Sequence, residues 1–118
     1  MLFRSTQDHE ALLEVKEWLD PQLPGLGRTV FSEDTYLEIL PLGVSKGAAL
    51  SVILELEGID PQEVVAVGDA PNDKEMLELA GIGAAVSNAA PELKTVADAV
   101  VCSNNEGAVR DCLERWFN

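Results

Sequence analysis

Positive charge is scarce in this chain: 8 Lys and Arg stand against 21 Asp and Glu, a formal net charge of −13 and a pI near 4.2. A field of that sign repels phosphate backbones and anionic lipid headgroups, so nucleic acid and membrane surfaces are excluded as partners. Cysteine is nearly absent, and Cys102 and Cys112 form neither a disulfide framework nor a zinc pattern. Cys102 ends an apolar run and Cys112 falls on a helical face, so both read as small buried hydrophobes. The single histidine, His9, reads as a solvated residue of a first helical turn. Aromatics make up 5% of the chain; Trp18 and Trp116 lie on apolar helical faces and read as core rather than as stacking platforms. No apolar run approaches the span of a bilayer and no signal-type segment opens the sequence, so the expected location is the cytoplasm.

What is abundant is aliphatic: 47% of the 118 residues are hydrophobic, mostly Ala, Val, Leu and Ile, a palette suited to helices laid on a parallel sheet. The first segment reads as α+β. Met1 to Ser5 is a brief apolar start consistent with a strand. Asp8 can cap a helix to about Leu19 with Leu12, Val15 and Leu19 on one face. A loop rich in Pro and Gly follows, then strands over Arg28–Phe31 and Tyr36–Leu40 around the turn Ser32–Thr35. After Pro41 and Gly43 the pattern changes. Ser45 is a good N-cap for a helix from Lys46 to about Glu57, with Leu50, Ile53 and Leu54 at helical spacing, and Gly58 closes it. Strands are predicted at Val64–Val67, Ile82–Val86 and Asp98–Cys102. Helices are predicted at Asn72–Ala80, at Glu92–Val96 after Pro91, and at Glu106–Phe117 with Val109, Cys112, Leu113 and Trp116 on one face. The order αβαβαβα implies parallel strands with right-handed crossovers. Two parts are expected, 1–41 and 42–118.

The stretch Gly68-Asp69-Ala70-Pro71-Asn72-Asp73 follows an apolar run, Val64-Val65-Ala66-Val67. A buried parallel strand would deliver Asp69 to its C-terminal edge, where ligands bind in open α/β sheets. Asp69, Asn72 and Asp73 offer hard oxygen donors of the kind Mg²⁺ takes. The plainer reading is an Asx turn with a helix cap. Lys46 stands at a predicted helix N-terminus, where a cation opposes the macrodipole by a few tenths to about 1 kcal/mol. An anion bound there would reverse that sign; the plainer reading is a solvated lysine. Asn88 can line the same edge or serve as a turn amide.

Four stretches in order, Gly43-Val44-Ser45-Lys46-Gly47, Gly68 to Asp73, Ser87-Asn88-Ala89 and Ala97-Asp98, resemble the haloacid dehalogenase (HAD) superfamily. The nearest resemblance is to its Cof-type phosphatases, Mg²⁺-dependent hydrolases of small phosphorylated metabolites such as sugar phosphates. It implies a Rossmann-like three-layer α/β core. Residues 1–41 would be the C-terminal part of an α+β cap and 42–118 the C-terminal half of the core. It also implies roles: Asp69 for the metal, Asp73 for the metal shell or for orienting the lysine, Asn72 for phosphate or the metal shell, and Lys46 for phosphate and the nucleophilic carboxylate.

One part of the family pattern is missing. The superfamily's nucleophile and its acid–base partner lie in an Asp-x-Asp motif near the N-terminus, and this sequence contains no Asp-x-Asp. Without a nucleophile the covalent route is closed. In the family the motif's strand pairs with the acid-bearing strand, so Val64–Val67 should have an open edge that calls for a second chain or self-association. The resemblance therefore implies part of a phosphatase, inactive alone. The alternative is a non-catalytic phosphate- or Mg²⁺-binding or assembly module of the same descent.

Overall fold

A computed structural model describes residues 2–3 and 8–117. The chain divides into two compact units, Met1–Ser45 and Lys46–Asn118.

The first unit is a three-stranded antiparallel sheet with one helix. Strands β1 (Leu2–Phe3), β2 (Gly27–Glu33) and β3 (Tyr36–Pro41) lie in the order β1-β3-β2, and α1 (His9–Leu19) packs on β3. Asp8 caps α1 through the Glu10 N–H at 3.0 Å. Leu12, Phe31 and Leu37 form the core, with Val15 against it. The hairpin turn is tighter than predicted: β2 runs on through Ser32 and Glu33, with an irregularity in register between Phe31 and Glu33. Such a bulge lets two residues oppose one across the ladder. One sequence expectation fails here. Trp18 is 65% exposed rather than core, because the apolar core of this small unit is filled by Leu12, Phe31 and Leu37. His9 opens the first turn of α1, where its Nδ1 donates to the Asp34 carbonyl at 2.8 Å and its ring sits 4.7 Å from that of Phe31.

The second unit is α/β. Strands β4 (Val65–Gly68), β5 (Ile82–Val86) and β6 (Ala99–Val101) form a parallel sheet in that order, with α2 (Lys46–Glu57), α3 (Lys74–Leu79), α4 (Pro91–Val96) and α5 (Ala108–Trp116) around it. Right-handed crossovers put α3 and α4 on one face. α2 packs on α3, and α5 packs on β4 and β6. Four of the five β5 residues are buried, as expected of a central strand covered on both faces. Leu77, Ala84, Ala85, Leu93 and Val101 are the heart of the core, with Cys112 and Ala108 against it. Gly58 ends α2 at φ +67°, a conformation cheap only for glycine.

Three residues expected in the core are exposed: Ile53 on α2, and Val109 and Leu113 on α5. The helices present other stripes to their neighbours, Gly47 and Leu54 on α2 and Ala108 and Cys112 on α5. Periodicity finds the apolar side of a helix but not which of two adjacent apolar stripes the fold covers. Cys112 is buried, whereas Cys102 is only half-buried at the end of β6. β4 lies at the edge of the sheet and pairs with β5 alone among the described strands. Among the described residues no helix is long and apolar enough to cross a membrane.

Candidate functional site

Strand β4 ends at Gly68, and the chain then makes a 3-10 turn over Pro71–Asp73 that runs into α3. This turn folds the Asp73 side chain back onto the strand end. Its Oδ2 accepts from the N–H groups of Asp69 (2.9 Å) and Ala70 (3.3 Å), and its Oδ1 lies 2.5 Å from the Lys46 Nζ. The Asp73 carboxylate is almost wholly buried, while the Lys46 side chain is half exposed. Burial alone would raise the Asp73 carboxyl. The Lys46 ammonium and the two backbone N–H groups outweigh it and hold the carboxyl below the ordinary carboxylate range.

Two glycines make the arrangement possible. A Cβ on Gly68 would stand 2.6 Å from the Asp73 Cβ and 2.8 Å from its Oδ2, so only glycine leaves room for the folded-back carboxylate. A Cβ on Gly47 would stand 2.7 Å from the Glu75 Cβ and 2.8 Å from its carbonyl carbon. Gly47 thus lets the first turn of α2 touch α3, which brings Lys46 to Asp73. The Ser-Lys-Gly and Gly-Asp motifs are two sides of one contact.

Lys46, Gly68, Asp69 and Asp73 line a single cavity of about 370 Å³. Its other walls are mostly apolar, from Val67, Met76, Val86, Ala108 and Val109, with Asn104 among the lining residues. Lys46 and Asp69 therefore share one pocket. Asp69 is exposed at the strand tip, and its backbone carbonyl accepts from the Ala90 N–H at 2.9 Å. Asn72 is half-buried; its Oδ1 is buried with no hydrogen-bond partner. Asn88 makes a turn-amide contact, donating to the Asn104 Oδ1 at 3.1 Å. Asp98 is structural: its Oδ2 accepts from the Gly83 N–H, and its own N–H donates to the Gly83 carbonyl, both at 2.7 Å. Sequence reasoning missed Asn104 and Met76. Asn104 was findable, because the loop after β6 leaves the same sheet edge as Asp69.

The donor chemistry fits a hard cation only in part. Asp69 offers a carboxylate open to the cavity, but Asp73 spends Oδ2 on two N–H groups and Oδ1 on Lys46. Among the described residues no group of three or more His, Cys, Asp or Glu converges as a metal would require.

Residues 1–113 match the family of haloacid dehalogenase-like hydrolases. The chain belongs to that family. The HMP-PP phosphatase of Serratia proteamaculans is 37% identical over 111 residues, which cover 92% of this chain and 40% of that protein. Two solved HAD structures are each 26% identical. The subclass IIB sugar phosphatase BT4131 has a TM-score of 0.80, with 90% of this chain and 40% of its own covered. A HAD/COF-like hydrolase from Plasmodium vivax has a TM-score of 0.87, with 98% and 40% covered. This HAD chain spans between 15% and 41% of the length of the curated relatives compared with it.

Proposed function

We propose that this HAD chain is the C-terminal portion of a Mg²⁺-dependent, cytoplasmic Cof-type phosphatase acting on small phosphoesters such as sugar phosphates, and that it has no turnover alone. The observation that carries the reading is the Lys46–Asp73 pair beside Asp69 in one cavity at the C-terminal end of a parallel strand. In this reading Lys46 holds the substrate phosphate and the attacking carboxylate, and Asp73 positions Lys46. Asp69 contributes one carboxylate to the metal, which when bound offsets phosphate charge. Asn72 donates from its amide NH₂ to phosphate or offers its unpartnered amide oxygen to the metal's water shell. Relatives named as HMP-PP and sugar phosphatases support a small phosphorylated metabolite as substrate. The missing Asp-x-Asp supports inactivity of the lone chain.

Hydrolysis of p-nitrophenyl phosphate by the 118-residue chain, with and without Mg²⁺, tests this. Background rates are expected in both arms. Mg²⁺-dependent turnover abolished by Asp69→Ala would overturn the assignment of inactivity.

A non-catalytic binding module is the second reading, favoured by the same pair persisting in a chain without the nucleophile. It predicts a melting temperature that rises with Mg²⁺ plus phosphate; no shift with both present would remove it.

A further inference from the structure

Its own charges leave the cavity at the tip of β4 poorly suited to an anion. The lining holds one cation, Lys46, and two carboxylates, Asp69 and Asp73. Asp73 matches Lys46 at 2.5 Å, so Asp69 puts the cavity one negative charge in excess. A phosphate held there calls for donors whose charge is not already shared with a carboxylate. Among the described residues that line the cavity, Asn104 alone has an uncharged side-chain donor. It stands in the connection between β6 and α5, and the first two residues of α5, Ala108 and Val109, continue the lining. The Asn104 amide is already oriented. Its Oδ1 accepts from the Asn88 Nδ2 at 3.1 Å, which leaves both hydrogens of its own NH₂ outside that bond. Asn88 rides on a pinned loop. The Ala89 N–H donates to the Val86 carbonyl and the Ala90 N–H to the Asp69 carbonyl, both at 2.9 Å, and the Lys94 Nζ donates to the Ser87 carbonyl. The loop that fixes Asn104 is thus tied to the strand tip that carries Asp69.

We propose that Asn104 is a binding residue for the phosphate group, donating from its amide NH₂ to a phosphate oxygen, and that Asn88 is a positioning residue that acts by holding the amide's oxygen. The inference rests on the phosphatase reading above, which puts the phosphate beside Lys46, and adds a neutral donor from the β6–α5 connection. A neutral donor suits this place because it attracts phosphate without drawing Asp69 into an ion pair, as a second lysine would. The Asn88 bond polarises the Asn104 amide and fixes it before the anion arrives, so less ordering is left to binding.

The test titrates the 118-residue chain with inorganic phosphate in Mg²⁺-free buffer at constant ionic strength, read as ³¹P line width. Asn104→Ala should raise the dissociation constant at least about fivefold, the loss of one hydrogen bond to a charged group. Asn88→Ala should raise it about two- to threefold. Both positions are exposed, so the urea midpoint should stay where it is. Asn104→Asp keeps an acceptor for Asn88 but removes the NH₂. It should weaken binding at least about fivefold more than Asn105→Asp, which adds the same charge at an exposed neighbour outside the lining. If Asn104 served only as an acceptor for Asn88, the two aspartate variants would bind alike. That equality, an Asn104→Ala protein that binds like the parent, or a parent chain that binds no phosphate would each overturn the proposal; an Asn88→Ala protein equal to the parent overturns the positioning role. Lys46→Met scores the phosphatase reading separately. A constant raised by Asn104→Ala but not by Lys46→Met counts against that reading and leaves Asn104 standing, and the reverse strikes Asn104 alone.

Discussion

Removing the Asp73 side chain should strongly destabilise the second unit, and its cost can be built from its contacts. Asp73→Ala orphans the Ala70 N–H, which is buried, and the Asp69 N–H, which is partly buried. An unsatisfied buried donor costs about 1–3 kcal/mol, and water relieves part of that for Asp69. Freed Lys46 is half exposed and regains solvent, so its loss adds less than about 1 kcal/mol. The sum is about 3–4 kcal/mol, or roughly 12–30 °C in melting temperature for a unit of this size. Asp73→Asn keeps an acceptor for the two N–H groups but turns an amide NH₂ toward Lys46, and should cost about 1–2 kcal/mol. Lys46→Met leaves the carboxylate with its two N–H bonds and should cost a similar amount. Urea unfolding at pH 7 followed by tryptophan emission isolates the unit. Trp18 is 65% exposed in the fold, so the change in emission reports Trp116. Equal destabilisation by Asp73→Asn and Asp73→Ala would refute the argument, since it would mean that the backbone N–H bonds contribute nothing.

Because the Asp73 carboxyl is held below its unfolded value, its contribution is complete above about pH 5 and is lost as pH falls through the folded pKa, below about 4. Urea midpoints between pH 2 and 6 should therefore climb less steeply in Asp73→Asn than in the parent; parallel curves would contradict the assignment. Gly68→Ala and Gly47→Ala should each destabilise by about 1–3 kcal/mol from overpacking, read in the same urea assay. A midpoint unmoved by Gly68→Ala would show that Asp73 need not fold back on β4. Asp98→Ala should cost about 1–2 kcal/mol and speed amide exchange at Gly83, whose N–H it receives. Asp69→Asn should strengthen weak phosphate binding in the absence of Mg²⁺, by removing a like charge from the cavity, and abolish any gain from Mg²⁺. A ³¹P line-width titration giving identical curves for both proteins would count against Asp69 facing the phosphate.

The order of elements from Lys46 onward was legible because strands and helices alternate with clear breakers. Strand Ile82–Val86 and the entry of α4 at Pro91 fall where periodicity and proline place them. The place of Asp69 was legible from the rule that ligands gather at the C-terminal edge of a parallel sheet, whereas Lys46 was joined to it only by the resemblance that the ordered motifs carry. The use of Asp73 was not. Its identity shows a carboxylate, but only geometry shows that two backbone N–H groups and Lys46 already engage both oxygens. Nor does the sequence distinguish a covered apolar stripe from an open one. Ile53, Val109 and Leu113 carry the pattern of core residues, and Trp18 has the same fate in the first unit. Their periodicity records a surface made to be buried, while burial itself depends on whether anything covers it.

The incomplete chemistry of the site follows from how Asp73 is used. Buried and with both oxygens engaged, Asp73 organises the site; it fixes the strand end and aims Lys46, which leaves Asp69 as the one carboxylate open to the cavity among the described residues. A lysine and one free carboxylate orient an anion but displace nothing.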